Sequence, residues 1–384
     1  MITVVGLDGT PLPPHARARL ADADLVIGAP GHLSAVPAPE TARRVTVQEG
    51  VDVLDLIEEA LADLLRSADT GATATSAAGP LGGPTGGPTG GLPARLAETF
   101  PSDTVRIELG RTARGAESGP ANVVVLATGD PGFFGIVRAL RERGHSPEVL
   151  PAVSVVARAF AKAGINWEDA IVVSARGRDF RRAVNVCRAH RKVAVLTGPG
   201  AGPSELARAL APSTPRSLVV CEDLGGPDER VSWPRLGEAT TRPWRNPDVV
   251  LVLDRGRQVG GGPGWIAGAA PGPEEWALPA DAFATGGRRR VTAEARALVL
   301  ARLGPRLGDL VWDVGAGDGE VAVECARLGA AVVAVERDAA ACERIRRNVV
   351  AHRVKVMLSC GVARRRWSRS PTRTRSSWAA AGPR

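Results

Sequence analysis

The densest cluster of chemically useful residues lies toward the carboxyl end, at Asp313-Val314-Gly315-Ala316-Gly317-Asp318-Gly319, with Glu336 closing the next apolar run. Glycines at the turn after a strand let the backbone approach a ligand closely, and an acid about 20 positions on can accept hydrogen bonds from both ribose hydroxyls. A pyrophosphate would ask for a further glycine near the helix start, whereas this loop carries acids, which suit a cationic ligand. A second constellation is spread over the first 260 residues: Val4-Val5-Gly6-Leu7-Asp8-Gly9, Ala127-Thr128-Gly129-Asp130-Pro131 with Phe133-Phe134-Gly135, Leu150-Pro151-Ala152-Val153-Ser154, and Val195-Leu196-Thr197-Gly198-Pro199. Each places small or turn-forming residues just past an apolar run, at the strand ends where open α/β sheets bind ligands. Taken singly, each is also what an ordinary turn looks like.

The elements that must carry these turns are legible as short β-branched runs alternating with helical segments, the pattern of a parallel α/β sheet. Strands are expected at 2–6, 25–28, 123–127, 148–150, 171–173, 193–196, 218–220 and 249–253, and helices at 13–23, 51–66 and 134–143. Residues 68–93, with the repeat GGPTGGPTGG, are too poor in apolar side chains to offset their ordering entropy and are expected to form a disordered insertion. A Gly/Pro-rich stretch at 256–275 reads as a linker. Beyond it come a helix over 292–303, N-capped by Thr292 and stopped at Gly304-Pro305, then strand 310–313, helix 320–327, strand 332–336 and helix 339–350.

Composition narrows the function classes. No apolar run approaches the roughly 20 residues that span a bilayer, and the start Met-Ile-Thr-Val-Val-Gly lacks a secretion signal, so a cytoplasmic, non-membrane protein is expected. The five cysteines and five histidines show no metal-ligand spacing and no disulfide framework, and the cysteines read as buried or idle thiols. Net charge is +8, but residues 359–384 alone contribute seven arginines and no acid, which leaves the rest of the chain at +1. A nearly neutral body argues against a nucleic-acid enzyme, since such binders spread basic residues over a folded face.

The turn at 313–319 resembles motif I of the class I S-adenosylmethionine methyltransferases. That resemblance implies that Asp313 or Asp318 faces the methionine moiety, that Gly315 and Gly317 admit the ligand, and that Glu336 meets the ribose. Together and in order, the turns of the first 255 residues resemble the tetrapyrrole methylase family, in the cobalamin-pathway branch that modifies precorrin-6Y. Gly28-Ala29-Pro30-Gly31-His32-Leu33, and Asn166-Trp167-Glu168-Asp169-Ala170 through Arg176-Gly177-Arg178, match further segments of that branch. The family's fold implies two α/β subdomains forming a cleft that holds S-adenosyl-L-methionine folded. Carried over residue by residue, Gly129, Asp130, Pro131, Phe134, Ser154 and Val155 line that cofactor site, with Thr197 and Gly225 as further members. The resemblance thus implies an α/β chain in which a two-subdomain tetrapyrrole methylase fold (1–255) is followed by a partial Rossmann-like class I methyltransferase (276–358). It implies methylation of a tetrapyrrole substrate, at C5 by the first unit and, if the second unit is functional, at C15 with decarboxylation, in a family that is often oligomeric; no metal is expected from the cysteine and histidine spacing.

Three departures stand out. Many relatives have a proline in the first loop where this chain has Asp8-Gly9. Around Arg288-Arg289-Arg290 to Ala295, only Thr292 of the usual Thr-Lys-Arg-Glu is kept. After about Val356 the family pattern stops, with no strand or helix periodicity expected in the remainder. The tail from 359 is open to three readings: a reading-frame shift near Leu358, a solvated disordered end, or a basic nucleic-acid-binding arm.

Overall fold

The computed structural model describes residues 1–47, 53–72, 107–108, 121–175, 180–245, 247–254, 272–286 and 291–361. It divides into two compact units, Met1–Val155 and Val156–Arg384. The boundary falls within the expected methylase region, ahead of the Gly/Pro-rich stretch at 256–275.

The first unit contains β1 (Ile2–Leu7), α1 (Pro14–Ala21), β2 (Leu25–Gly28), α2 (Pro30–Ala35), β3 (Arg43–Thr46), α3 (Val53–Ala72), β4 (Ile107–Glu108), β5 (Val123–Thr128), α4 (Ile136–Glu142) and β6 (Glu148–Leu150). Its sheet has the order β4-β3-β2-β5-β1-β6. Every pairing is parallel except β3 with β4. Both faces are covered, which is why the strands read as continuous apolar runs and not as alternating ones. Val4, Ile27, Val123 and Val125 pack with Leu56, Ile57 and Leu140 of α3 and α4. Their sequence neighbours Val5, Val26, Val124 and Leu126 pack with Ala16, Leu20 and Leu33 of α1 and α2. Helix α3 runs on to Ala72, past the expected end at 66 and into the expected insertion, because nothing from Ser67 to Thr70 interrupts a helix. Residues 73–93 of that insertion lie outside the described residues, as do 255–271 of the linker, Arg176–Arg178, Arg288–Arg290 and 362–384 of the basic tail.

The second unit opens with α5 (Val155–Ala163) at the boundary, β7 (Ile171–Ser174), α6 (Phe180–Ala189), β8 (Lys192–Leu196), α7 (Pro203–Leu210), β9 (Ser217–Glu222), β10 (Arg230–Ser232), α8 (Leu236–Thr241) and β11 (Pro247–Leu253). These strands take the order β10-β9-β11-β8-β7. Only β7 with β8 is parallel, and β11 runs antiparallel to both neighbours, so the expectation of a parallel sheet fails here. An apolar run reports burial, whereas strand direction depends on a crossover the run does not encode.

The same unit holds α9 (Ala293–Leu303), β12 (Leu310–Val314), α10 (Glu320–Arg327), β13 (Ala331–Glu336), α11 (Ala339–Ala351) and β14 (Met357–Cys360) in a parallel sheet of order β12-β13-β14. Thr292 caps α9, its hydroxyl accepting from the Ala295 N–H, and Gly304 ends it at φ +55°. Strand β14 corrects the reading that no strand follows Val356. Its four residues carry no pattern of their own and become a strand by pairing with Val333–Glu336. The cysteine reading is also corrected in part. Cys342 and Cys360 are joined as a disulfide, while Cys187, Cys221 and Cys325 are buried thiols. The spacing of 18 residues matches no motif, and only the approach of β14 to the start of α11 brings the two sulfurs together.

Candidate functional site

In the first unit three strand ends converge. The Gly129 N–H donates to Leu7 O (2.6 Å) and the Ala152 N–H to Gly129 O (3.4 Å), tying the ends of β1, β5 and β6 to one another. Gly6 makes this approach possible: a Cβ there would lie 2.6 Å from Ala152 N and closer still to Gly129 O. Gly129 itself sits at φ +67°. Sequence reasoning gave the first loop little weight, yet it clasps the third. Asp8 is buried, its Oδ1 accepting from the Thr10 N–H (3.0 Å) and hydroxyl (2.6 Å) and its Oδ2 from the Val153 N–H (3.2 Å). The signal for this role was the acid after Gly6-Leu7; its partner is remote in sequence.

Asp130 closes its own turn, its carboxylate accepting the Gly132 N–H at 2.8 Å. Pro131 is buried behind it, and Gly135 is required because a Cβ would meet Pro131 O at 2.6 Å. This geometry presents Phe133 and Phe134 outward, with ring centroids 4.9 Å apart edge to face. Phe134 is 58% exposed and held at φ +52°, a conformation in which a bulky side chain is strained. Val153 is also exposed, and Ser154 and Val155 are half-buried at the start of α5. A cavity of about 390 Å³ opens at Val153, lined also by Gly6, Asp8, Leu12, Leu150 and Ala152 among others. His32, on α2, reaches Thr128 Oγ1 at 2.9 Å, and burial pushes its imidazole below the ordinary value, keeping it neutral.

The two members placed in the second unit are held differently. Thr197 is buried at the end of β8, and its hydroxyl donates to Pro247 O. Gly225 lies in a turn at φ +87°, its N–H donating to Glu229 Oε2 at 2.9 Å. Glu229 also takes Arg158 (2.7 Å) and Lys162. Burial pushes its carboxyl up, but Lys162, the Gly225 N–H and Arg158 outweigh it and bring the pKa down to about 2.

The carboxy-terminal turn joins β12 to α10. Gly315, Gly317 and Gly319 all have positive φ, at +80°, +57° and +82°. Nothing lies within 4 Å of where a Cβ would sit on Gly315 or Gly317, so the turn faces open space there, whereas Gly319 packs on Ile345. The Gly315 and Ala316 N–H groups both donate to Val335 O (2.8 and 3.1 Å). Glu336 is buried at the end of β13 and accepts from the N–H groups of Gly317 (2.8 Å), Arg337 (2.7 Å) and Asp338 (2.9 Å). A carboxylate has about four acceptor sites, so the backbone leaves Glu336 capacity for roughly one further donor.

The two acids of the turn separate clearly. Asp318 is committed to Arg344 Nε (2.7 Å) and the Gly286 N–H (2.9 Å). Asp313 is 6% exposed and its Oδ2 has no hydrogen-bond partner. Burial pushes its carboxyl up to about 6; an N–H of Ala322 works against that, and Glu336 adds to it. Behind the turn Arg296, itself buried, pairs with Glu320 (2.9 Å) and Glu324 (3.5 Å), pinning α9 to α10. Among the described residues no group of His, Cys, Asp and Glu is placed to hold a metal ion, and no helix is long and apolar enough to cross a membrane.

Glycine turns stand at the carboxyl ends of parallel strands in two separate sheets of this α/β protein. Residues 5–240 match the family described as Tetrapyrrole (Corrin/Porphyrin) Methylases, and the chain belongs to it. Residues 281–371 match a precorrin methyltransferase domain, so the likeness runs past Val356, where the sequence pattern was expected to stop. The chain is 35% identical over 213 residues to the precorrin-6Y C(5,15)-methyltransferase [decarboxylating] of Sinorhizobium sp, covering 53% of this chain and 48% of that protein. It is 38% identical over 117 residues to the cobalt-precorrin-7 C(5)-methyltransferase of Salmonella typhimurium, covering 29% and 56%. The crystal structure of the C-terminal domain of precorrin-6Y C5,15-methyltransferase from Rhodobacter capsulatus is 33% identical, covering 25% of this chain and 52% of that one, with a TM-score of 0.24. The matched part thus spans about half the length of these relatives.

Proposed function

We propose that the chain methylates carbon atoms of a corrin precursor of the precorrin-6Y type, with S-adenosyl-L-methionine as methyl donor. The observation that carries this reading is the pairing in one chain of a tetrapyrrole methylase match at 5–240 with a precorrin methyltransferase match at 281–371. On this reading the units are 1–255, a linker at 256–275, and a second methyltransferase unit from 276. The first unit acts at C5, and the carboxy-terminal unit acts at C15 with loss of the neighbouring acetate carboxyl.

The residues present fit such a donor. In the first unit Gly129, Asp130, Pro131, Phe134, Ser154 and Val155 would hold it. In the carboxy-terminal unit Gly315 and Gly317 leave open space for close approach, the buried Asp313 faces a cation at low cost, and Glu336 retains acceptor capacity for a ribose hydroxyl. The bound donor supplies an electrophilic methyl group on a positively charged sulfur, which leaves as a neutral thioether.

What the protein adds is position. Aligning a nucleophilic ring carbon with the methyl group, in line with the departing sulfur, provides much of the rate with little covalent help. The exposed Phe133, Phe134 and Val153 give a flat macrocycle an apolar surface, with Val153 also lining the cavity at Asp8, and apolar contact there excludes water from the reacting carbon. Incubation of the full chain with precorrin-6Y and S-adenosylmethionine, read by mass, tests the proposal. We expect at least one methyl gain, with the C5 methyl lost when Gly129 is replaced by Val. A macrocycle of unchanged mass, with the protein folded and binding the donor, would sink it.

A further inference from the structure

Asp313 is a buried acid with no arginine or lysine in ion-pair reach among the described residues, whereas Asp169, Asp254 and Glu320 of the same unit each pair with one. It lies at the carboxyl end of β12, opposite Ala334 of β13, directly before the open turn at Gly315 and Gly317. One carboxyl oxygen is without a hydrogen-bond partner although the residue is 94% buried, and buried polar atoms left in that state ask for an explanation. Beside it stand Glu336 from β13, which disfavours a negative charge, the Ala322 N–H from α10, which favours one, and the buried Cys325 thiol of the same helix. The cations of the neighbourhood are already committed, Arg296 to Glu320 and Glu324, and Arg344 to Asp318. Among the described residues no arginine or lysine acts on the Asp313 carboxyl, so a cationic ligand would meet no competing partner there.

Resting on the reading of this turn as a sulfonium-binding site, we propose that Asp313 selects the charge of the ligand: it gives up a proton to solvent when a sulfonium cation is held there and regains one when that ligand becomes the neutral thioether. The proton balance is simple. A carboxylic acid plus a bound cation becomes a carboxylate paired with that cation, and one proton passes to the buffer. When the methyl group leaves, the thioether no longer holds the carboxylate ionised, and a proton returns from solvent. The site thereby favours donor over spent product, fully above about pH 6 and less in mildly acidic solution, where expelling the Asp313 proton takes up part of the binding energy.

Calorimetric titration of the full chain with S-adenosylmethionine, S-adenosylhomocysteine and adenosine, each in two buffers of different ionisation heat, reads the proton directly. With a carboxyl near 6 in the free protein, about half a proton should leave per sulfonium bound at pH 6 and about 0.9 at pH 5. The thioether and adenosine should release close to none at this site. Asp313→Asn should erase the release and lower the preference for sulfonium over thioether about tenfold, while ligand still binds. Carbon-13 labelling of aspartate carboxyls in the unaltered chain gives a second readout: one resonance titrating near pH 6 that the sulfonium, and not the thioether, moves to lower pH. Equal proton release by both charged and neutral ligands, or release unchanged in Asp313→Asn, overturns the inference while leaving the site reading intact. A stoichiometry of one ligand per chain that Glu336→Ala does not reduce overturns the site reading, and the inference with it.

Discussion

The first-unit site and the carboxy-terminal site both rest on glycines at strand ends, but they are held by different physics. At Gly6, Gly129 and Ala152 three backbones touch, and atoms are excluded by crowding. At Gly315 and Gly317 the turn has space, and what is unusual is an unpaired buried acid beneath it. Crowding makes the first site depend on residue size. Buried charge makes the second tolerant of size and responsive to pH. Substitutions that change volume alone or charge alone should therefore separate the two.

The largest effect is expected from Gly6→Ala. One methyl group would sit within 2.6 Å of Ala152 N, against backbone that cannot yield without breaking the joined strand ends. Overpacking of this kind costs about 3 kcal/mol or more, so urea unfolding should show a clear loss for the first unit. Gly315→Ala carries only the penalty of positive φ, about 1–2 kcal/mol. Equal losses in the two variants would break the comparison.

Asp313→Asn should act in the opposite direction. Its folded-state pKa, about 6, lies above the ordinary 3.8, so between those values the folded protein binds more protons than the unfolded one. Its favourable contribution is complete below pH 3.8 and is lost as pH rises through 6. Above that, the ligand-free protein carries an ionised, unpaired acid, and Asn removes it. We expect a gain of about 2 kcal/mol at pH 7, shrinking toward zero near pH 4. A melting temperature that tracks wild type at every pH would remove the electrostatic half of the comparison.

These same two regions show how far the amino-acid order carries. The carboxy-terminal turn was legible because it is local: Leu310 to Gly319 supplies strand, turn and helix start in ten consecutive residues, and Glu336 ends the next strand. In the first unit the turns at Gly129 and Leu150 were legible as turns, but the clasp was not. Asp8 acts on the N–H of Val153, 145 residues away, and no periodicity reports such a contact. Strand β14 was missed for the same reason, since Met357-Leu358-Ser359-Cys360 becomes a strand only through β13. Of the two acids in the turn, sequence left open which one faces ligand; Asp318 is committed to Arg344, and on the proposed reading that role falls to Asp313.

Glu229 sharpens the contrast, because it is a half-buried charge whose partners are present. Arg158, Lys162 and the Gly225 N–H hold it ionised, with a folded-state pKa near 2 against an ordinary 4.5. A lowered value means stability present above pH 4.5 and lost as pH falls through 2, the reverse of Asp313. Glu229→Gln should cost about 1–2 kcal/mol at pH 7 and nearly nothing at pH 2. Thermal unfolding of both variants across pH would show slopes of opposite sign.

The smallest effect tests whether strain, and not only crowding, is built into the first site. Phe134 holds φ +52° with its ring 58% exposed, so its burial contributes little and its backbone conformation costs about 1–2 kcal/mol. Gly adopts that conformation freely but has more disorder to lose on folding, about 0.5–1 kcal/mol, so Phe134→Gly should gain no more than about 1 kcal/mol. Phe134→Ala keeps the strain and loses the ring. The difference in stability between the two variants therefore isolates the strain, while their shared loss of methyl transfer measures the ring. If both variants kept full transfer, and Gly were no more stable than Ala, the outward-facing phenylalanine would be neither strained nor used, and the first site would rest on the crowded strand ends alone.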